Sequence, residues 1–171
     1  MKFKYFRDPD NFAYKTEKAK ECSICQNVGI WFDASCFYGE NEIESICDDC
    51  LLAGKLKELG IETNEAFDGE DEDIETITYK TPVLPTWQGR EWPFVDGQYC
   101  IFERMASKED FANKDEFINS FLEDDRNTTE LDWLWENLTD KRIRNHQEGN
   151  FNVSVYLFTL DGKKVCTWDA S

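Results

Sequence analysis

Hydrophobic residues recur at helical spacing between positions 111 and 138, among many polar and acidic residues. One series predicts an amphipathic helix near residues 111–122, and a second series predicts another near 131–138. Their members are Phe111, Phe117, Ile118, Phe121 and Leu122, then Leu131, Leu134, Trp135 and Leu138. Thr129 is expected to cap the second helix, with Asp132 completing a weak capping box. We expect both helices to bury their aromatic residues and to turn acidic faces outward.

The C-terminal segment has the pattern of a β-hairpin. Two runs rich in β-branched and aromatic residues, Phe151–Phe158 and Lys164–Trp168, flank the pair Asp161-Gly162. Because Asp-Gly suits the positive φ angles of a tight turn, the runs are predicted to pair as antiparallel strands. Helices and strands are mixed along the chain without strand–helix–strand alternation, so the expected fold class is α+β.

Two CxxC pairs near the N-terminus indicate a metal site. Cys22 and Cys25 form the first pair, Cys47 and Cys50 form the second, and twenty-one residues separate the pairs. This spacing is typical of two zinc knuckles that hold one tetrahedral ion. Four cysteines fill the coordination shell of zinc and leave no position for an activated water molecule, so we expect one structural Zn²⁺.

Two other uses of the CxxC cysteines compete with a zinc site. An iron–sulfur centre takes the same ligands and stays open as an alternative. A thioredoxin-type redox motif is disfavoured, because it needs one CxxC pair beside a βαβ unit and not two matched pairs. Cys36, Cys100 and Cys166 stand singly. We expect them to be small buried apolar residues without a ligand role.

The residues around the CxxC pairs predict a treble-clef or zinc-ribbon-like module over residues 1–61. Val28–Phe32 and Cys36–Gly39 are predicted as a short aromatic-rich hairpin, and Leu51–Gly60 as a helix that ends at glycine. We expect this module to pack with an α+β body over residues 79–171 that ends in the β-hairpin. Residues 62–78 are predicted to be an acidic loop or linker, and the alternative is one continuous domain.

Acidic residues are concentrated in two segments. The chain has 19 Lys and Arg against 36 Asp and Glu, which is a formal charge of −17. Glu62–Glu75 contains eight acids and no base, and Glu103–Glu136 contains eleven acids and four bases. The first segment has too few apolar residues to form a buried face, which predicts an acidic loop. The second coincides with the predicted helices, so its acids are expected on a helical surface.

Charge and hydrophobic content exclude several classes of protein. The excess of negative charge opposes sequence-independent nucleic-acid binding and adsorption to anionic membranes. Disorder of the whole chain is not expected, because 40% of the residues are hydrophobic and 15% are aromatic. The chain contains no apolar run of the roughly eighteen residues that a membrane span needs, and Met1–Pro9 lacks the apolar stretch of a secretory signal. We therefore expect a cytoplasmic protein.

A segment with three prolines, between residues 81 and 94, carries two tryptophans. The prolines disfavour a regular helix there. Trp87 and Trp92 would line a pocket in which Gln88 and Arg90 supply the polar groups. The favoured alternative is an irregular aromatic segment that anchors the module to the body.

The sequence contains no identifiable catalytic constellation, so we expect a protein that is not an enzyme. His146 is the only histidine, lies in a polar stretch and is expected at the surface. The sequence has neither a glycine-rich phosphate loop nor a serine elbow. Carboxylates are so abundant that no pair stands out as acid and base.

The landmarks taken together resemble the bacterial CbrC family over nearly the whole chain. They are Phe3-Lys4-Tyr5 with Asp8-Pro9, Cys22 and Cys25, Cys47 to Gly54, Thr81-Pro82, Trp87-Gln88, Glu91-Trp92-Pro93, Cys100 with Phe102, and Tyr156-Leu157-Phe158. The resemblance implies a role in tolerance to a nuclease colicin. Where members of that family carry further cysteines, this chain has Asp96–Cys100 and Phe158–Gly162, so no second metal site is expected.

Two hypotheses about function follow. The first is a non-enzymatic acidic zinc protein that binds a protein partner with a basic surface, such as a nuclease toxin, as an immunity or tolerance factor. Its expected contact, here called the acidic face, consists of Glu123, Asp124, Asp125, Glu130, Asp132 and Glu136. The alternative is a zinc-ribbon adaptor or regulator in transcription or nucleic-acid processing, supported by the module and by six bases against three acids in the first twenty residues.

Overall fold

The structure is a computed structural model that describes residues 1–86, 88–149 and 152–170. Its α-helices are α1 (Pro9–Phe12), α2 (Asp48–Leu52), α3 (Lys55–Glu58), α4 (Asp71–Lys80), α5 (Lys114–Asn119) and α6 (Thr128–Asn137). Short 3₁₀ helices cover Lys108–Asp110, Glu123–Asp125 and His146–Glu148.

The strands form one central sheet and several two-stranded pairs. They are β1 (Lys20–Glu21), β2 (Val28–Gly29), β3 (Phe32–Asp33), β4 (Tyr38–Gly39), β5 (Ser45–Ile46), β6 (Ile61–Glu62), β7 (Phe94–Val95), β8 (Gln98–Tyr99), β9 (Ile101–Met105), β10 (Val153–Leu160) and β11 (Lys163–Ala170). The central sheet has the order β11-β10-β9, and all its strand pairs are antiparallel. This mixture of helices with antiparallel strands confirms the predicted α+β class.

The predicted C-terminal hairpin is confirmed. Strands β10 and β11 pair from Val153 opposite Ala170 to Leu160 opposite Lys163. Asp161 (φ 49°) and Gly162 (φ 79°) connect them, both in the left-handed region that a type I′ turn requires. Phe151, the predicted start of the first strand, lies outside the described residues.

The central sheet separates two hydrophobic clusters, because side chains alternate between the faces of a strand. Tyr156 and Phe158 face a first cluster that also contains Phe3, Phe32 and Leu51 from the N-terminal region. The other face meets helices α5 and α6 in a second cluster, whose members include Val155, Leu157, Cys166, Phe117, Leu131 and Leu134. The N-terminal module therefore packs directly on the sheet of the body. The proposed domain boundaries stay a prediction.

Both predicted amphipathic helices are present, and their buried residues follow the predicted series. Phe117 of α5 and Leu131 and Leu134 of α6 are fully buried. The cap of α6 differs from the prediction, because the side chain of Asn127 accepts hydrogen bonds from the N–H groups of Thr129 and Glu130. Asparagine is a stronger N-cap residue than threonine, so the helix begins before the expected Thr129.

The loop predicted over residues 62–78 is wrong for its second half, which forms α4. Ile77 is fully buried and Ile74 packs against the same cluster, so the helix does have an apolar face. Three acids in its first turn favour the helix N-terminus. Lys57 and Lys80 contact the Glu75 carboxylate at 2.6 and 3.0 Å, and their hydrogen bonds lower its pKa to about 2. The acidic segment on which the loop prediction rests, Glu62–Glu75, stops before the buried Ile77 and so leaves out part of the apolar face.

Two predictions within the N-terminal module also need correction. The helix expected over Leu51–Gly60 is divided into α2 and α3 by Gly54, whose φ of 71° ends one helix before the next begins. The predicted hairpin of Val28–Phe32 with Cys36–Gly39 does not form. Instead β2 pairs with β1, β3 with β5 and β4 with β6. Strands of two residues are too short for local propensity to choose their partners.

The N-terminal segment is bound to strand β9. The Phe102 N–H donates to the Tyr5 carbonyl at 2.8 Å, and the Arg7 N–H donates to the Phe102 carbonyl at 2.9 Å. The Arg7 guanidinium also contacts the Glu103 carboxylate at 3.1 Å. Burial raises the pKa of Glu103, but hydrogen bonds from Arg7 and Thr159 outweigh it and hold the pKa below its usual value.

Within the described part of the chain, no helix has both the length and the apolar character that a membrane crossing requires.

Candidate metal centre

The first CxxC pair lies in the turn between β1 and β2. The Cys22 N–H donates to the Asn27 carbonyl at 2.8 Å, and the Gln26 N–H donates back to the Cys22 carbonyl at 2.9 Å. Gln26 takes a positive φ of 65°, which tightens the turn. Cys22 and Cys25 are thereby held on one compact turn, in the arrangement of a zinc knuckle.

The second CxxC pair lies where β5 meets helix α2. Cys47 is the N-cap of α2, and its Sγ accepts a hydrogen bond from the Cys50 N–H at 3.5 Å. Cys50 follows in the first helical turn, so both side chains point from the helix N-terminus. The first pair therefore lies on a turn and the second at a helix N-terminus, and the paired strands β3 and β5 lie between them in the chain.

Serine hydrogen bonds align the two pairs with each other. The Ser23 N–H donates to the Ser45 carbonyl at 2.9 Å, and the Ser45 hydroxyl donates to the Glu21 carbonyl at 2.9 Å. Ser45 is fully buried two residues before Cys47. The pairing of β3 with β5 then positions the N-terminus of α2 against the first knuckle.

The four thiol sulfurs are placed to hold one metal ion. Their Sγ atoms all lie within 4.8 Å of one another, and Cys25 Sγ lies 3.7 Å from Cys47 Sγ. A disulfide needs a sulfur separation of about 2.05 Å, and all four cysteines are free. A tetrahedral ion with metal–sulfur bonds of about 2.3 Å places its sulfurs about 3.8 Å apart, which fits the observed spacing.

The electrostatics of the cluster favour a bound cation. Burial raises the pKa of Cys22, but backbone N–H groups of Cys25, Cys47 and Ile24 outweigh it and lower that pKa to about 7. Burial and the neighbouring thiols raise the pKa of Cys47 and of Cys50. Four crowded thiols therefore lose their protons together only where a cation offsets the accumulated negative charge.

A family model matches residues 1–168. The chain belongs to the uncharacterised protein family UPF0167. No solved structure matches it. The resemblance to the CbrC family is not confirmed by this match and stays a prediction.

The acidic face of this UPF0167 member is exposed along most of its length. Glu123, Asp124 and Asp125 form a 3₁₀ helix at the surface, and Glu130 and Glu136 are exposed on α6. Asp132 differs, because it is half-buried and contacts Lys114 at 2.7 Å. The two ends of the predicted face are therefore open to a partner, and Asp132 between them is engaged within the protein.

The predicted pocket residues of the UPF0167 chain make different contacts. Trp92 is buried, and its indole N–H donates to the Cys100 carbonyl at 2.8 Å. The Gln88 side chain donates to the Ala170 carbonyl, whereas Arg90 donates to the Thr63 carbonyl and stacks on Tyr38. Trp87 lies outside the described residues. Of these contacts, the stacking of Arg90 on Tyr38 reaches residues 1–61, and both the pocket and the anchoring segment stay predictions.

The burial of the single cysteines and of His146 agrees only in part with the prediction. Cys100 and Cys166 are buried and free, as expected, and burial raises the pKa of each thiol to about 12. Cys36 is half-buried. His146 is half-buried and not fully exposed, because its ring packs edge-on against Tyr14 with centroids 5.0 Å apart.

Sequence reasoning missed one surface feature beside the acidic face. The rings of Trp133 and Trp168 lie 6.3 Å apart, and Trp133 is 44% exposed. A signal was available, because Trp133 falls outside the apolar series of α6 and so belongs to its polar side. The neighbour Trp168 could not be anticipated, since it comes from the C-terminal hairpin.

Proposed function

We propose that Cys22, Cys25, Cys47 and Cys50 hold one zinc ion that stabilises the N-terminal module. The mutual spacing of the four sulfurs carries this proposal, because it suits a single central ion. The cysteines of an iron–sulfur cluster are spread around several iron atoms. The close spacing of the four sulfurs therefore favours a single ion over such a cluster. Bound zinc supplies a structural crosslink, and four thiolates leave it no open position for chemistry on a substrate.

Metal analysis of the purified protein tests the zinc site. We expect about one zinc per chain, and loss of the metal in Cys47→Ser. Cys36→Ser is the matched control, since Cys36 lies outside the cluster and should leave the zinc content unchanged. Iron with visible absorption, or full zinc content in Cys47→Ser, would overturn the assignment.

We further propose that the protein is not an enzyme and acts by binding a protein partner with a basic surface, in the manner of an immunity or tolerance factor against a nuclease toxin. The observation that supports this is the exposure of Glu123, Asp124, Asp125, Glu130 and Glu136 on one region of the surface. Nuclease toxins present basic phosphate-binding surfaces, and a concentrated acidic surface speeds association with such a partner and selects for it.

The ion pairs of the N-terminal bases count against the nucleic-acid adaptor. Lys2 contacts Asp48 at 2.7 Å, and Lys4 contacts Asp73 at 2.6 Å. Arg7 is similarly engaged with Glu103. Cations that are already neutralised by carboxylates release few counterions from phosphates, so the slightly basic N-terminus gives little affinity for nucleic acid.

Binding to the nuclease domain of a colicin tests the partner proposal. Asp124→Lys/Asp125→Lys should weaken binding and reduce the association rate, because it reverses charge at an exposed end of the acidic face. Glu40→Lys/Glu42→Lys is the control with the same charge change on exposed residues of the zinc module. Equal weakening by both pairs would mean that net charge and not the acidic face matters, and no effect of the first pair would remove the face from the proposal.

A further inference from the structure

A groove of about 420 Å³ separates the acidic face from strand β11. Its lining includes Phe121, Asp124, Asp125, Glu130, Thr167 and Trp168. Within the described residues, no ion pair engages Asp124, Asp125 or Glu130. One wall therefore presents carboxylates without a protein cation, and the opposite wall presents a strand and an indole ring.

Part of the outer edge of strand β11 lies at this groove. It is the outer strand of the central sheet, with β10 on one side. The Cys166 N–H points away from β10 and donates to the Ser120 carbonyl at 2.9 Å, and the Ala170 carbonyl points the same way and accepts from the Gln88 side chain at 2.6 Å. Backbone groups two residues apart share one side of a strand, so the N–H of Trp168 also points outward.

The Trp168 N–H has no hydrogen-bond partner among the described residues. It lies between two positions of β11 whose outward backbone groups are covered by other parts of the chain. An unpaired N–H on a strand edge is a template for an incoming extended segment. The covered neighbours limit such pairing to a short stretch beside the groove.

The Trp133–Trp168 pair adds an aromatic surface to the same region. Trp133 follows Glu130 on α6 by about one helical turn, so it and the carboxylate project from the same side of the helix. An Arg or Lys side chain lying against an indole face gains a cation–π contact, which a nearby carboxylate supplements. The combination of acids, indoles and a strand edge therefore suits a basic segment in extended conformation.

We infer that an extended, basic segment of the protein partner docks in this groove by adding a strand to β11. This inference rests on the partner binding proposed above and names its mode. Main-chain hydrogen bonds to the Trp168 position would set the register of the segment. Since side chains alternate along a strand, Lys or Arg at every second position would face Asp124, Asp125 and Glu130.

A second copy of the chain is a poor occupant for the same edge. Each copy carries a formal charge of −17, and pairing two β11 edges would bring the two acidic faces together. Like charges that meet across an interface oppose association. Charge complementarity therefore selects a basic partner over self-association.

Two synthetic peptides separate strand addition from simple charge attraction. The first is an eight-residue peptide with Arg and Thr alternating, and the second has the same sequence with N-methyl groups on every other backbone amide. N-methylation removes donors and blocks pairing along one edge but keeps the charges. We expect the methylated peptide to bind about tenfold more weakly in titration calorimetry, because backbone hydrogen bonds to β11 are lost.

Protein variants and amide exchange complete the test on the zinc-loaded, full-length protein. Asp124→Asn/Asp125→Asn should weaken the unmethylated peptide about tenfold, whereas Glu40→Gln/Glu42→Gln should leave it unchanged. Hydrogen exchange at the Trp168 amide should slow when the peptide binds.

Equal affinity for both peptides, or unchanged hydrogen exchange at the Trp168 amide, would overturn strand addition. If Asp124→Asn/Asp125→Asn still weakened peptide binding in that case, partner binding by the acidic face would stand. Absence of binding to either peptide, together with a colicin nuclease domain indifferent to charge reversal at Asp124 and Asp125, would overturn both proposals. Sedimentation as a dimer with the Trp168 amide protected would assign the edge to a second copy and overturn the inference.

Discussion

Replacing Cys47 by serine tests whether the metal stabilises the fold, and the structure makes this substitution unusually specific. Cys47 caps helix α2 by accepting the Cys50 N–H. Serine is itself a strong N-cap residue, so Cys47→Ser keeps a cap on the helix and removes a metal ligand. Cys47→Ala would lose both, with a further cost of about 1 kcal/mol for the cap.

The expected loss of stability follows from the linkage between metal binding and folding. At free zinc about a thousand times the dissociation constant, the bound ion contributes about 4 kcal/mol to the free energy of unfolding. For a chain of 171 residues, each kcal/mol shifts the melting temperature by about 2–4 °C. Cys47→Ser should therefore melt about 8–16 °C below the wild type, and Cys36→Ser should stay within about 4 °C of it.

Calorimetry of four samples measures the effect, namely wild type and Cys47→Ser, each with buffered zinc and with a chelator. We expect the chelator to lower the melting temperature of the wild type and to leave Cys47→Ser unchanged, because the substitution and the chelator remove the same interaction. Two effects that simply add would refute the reasoning, as would a wild-type melting temperature that does not depend on zinc.

Three further predictions concern the fold. Ile77→Ala should lower the free energy of unfolding, measured with denaturant, by about 2–5 kcal/mol, because Ile77 of α4 is fully buried. Glu72→Ala on the exposed side of the helix should change it little, and equal effects of the two substitutions would contradict the packing of α4. Gly162→Ala should cost about 1–2 kcal/mol, since φ is 79° there, and Gly89→Ala, which meets no atom within 4 Å, is its control. The depressed pKa of Glu103 stabilises the fold above its unfolded pKa of about 4.3, and this contribution is lost as the pH falls through the lower folded value. Urea unfolding measured against pH should therefore show a shallower acid decline for Glu103→Gln, and an unchanged slope would refute this account.

The distribution of acids has a different meaning in the structure than in the sequence. In the first acidic segment, Asp73 contacts Lys4, and Glu75 contacts Lys57 and Lys80. The second segment leaves Asp124 and Asp125 exposed beside a groove. Position in the sequence therefore does not tell which acids have a cation partner within the protein, since Glu103 and Asp132 of the second segment are also in ion pairs.

Several features were predictable because their signals are local. A two-residue hairpin turn requires backbone angles that few residues adopt, so the pair Asp161-Gly162 predicted the hairpin that the structure contains. The apolar series around Phe117 and Leu131 predicted two helices, and the structure contains them as α5 and α6. The CxxC spacing predicted a cluster of four sulfurs, because two short turns that carry paired thiols have few other stable arrangements.

Other features depend on partners far away in sequence. The partners of β2, β3 and β4 come from β1, β5 and β6, and strands of two residues carry too little local preference to select them. Helix α4 was missed in the acidic segment Glu62–Glu75, because Lys4, Lys57 and Lys80, which pair with Asp73 and Glu75, lie outside that segment. A charge count within a window does not include such cations.

By itself the sequence determined the α+β class, the four clustered cysteines, the C-terminal turn and the location of the acidic residues, because each depends on composition or on spacing of a few residues. Only the tertiary structure decided which acids form ion pairs, and that strand β11 lines the same groove as Asp124 and Asp125. The physical reason is that ion pairing and edge pairing are set by distances between segments that are remote along the chain. Those distances exist only after the N-terminal module and the two helices have packed on opposite faces of one sheet.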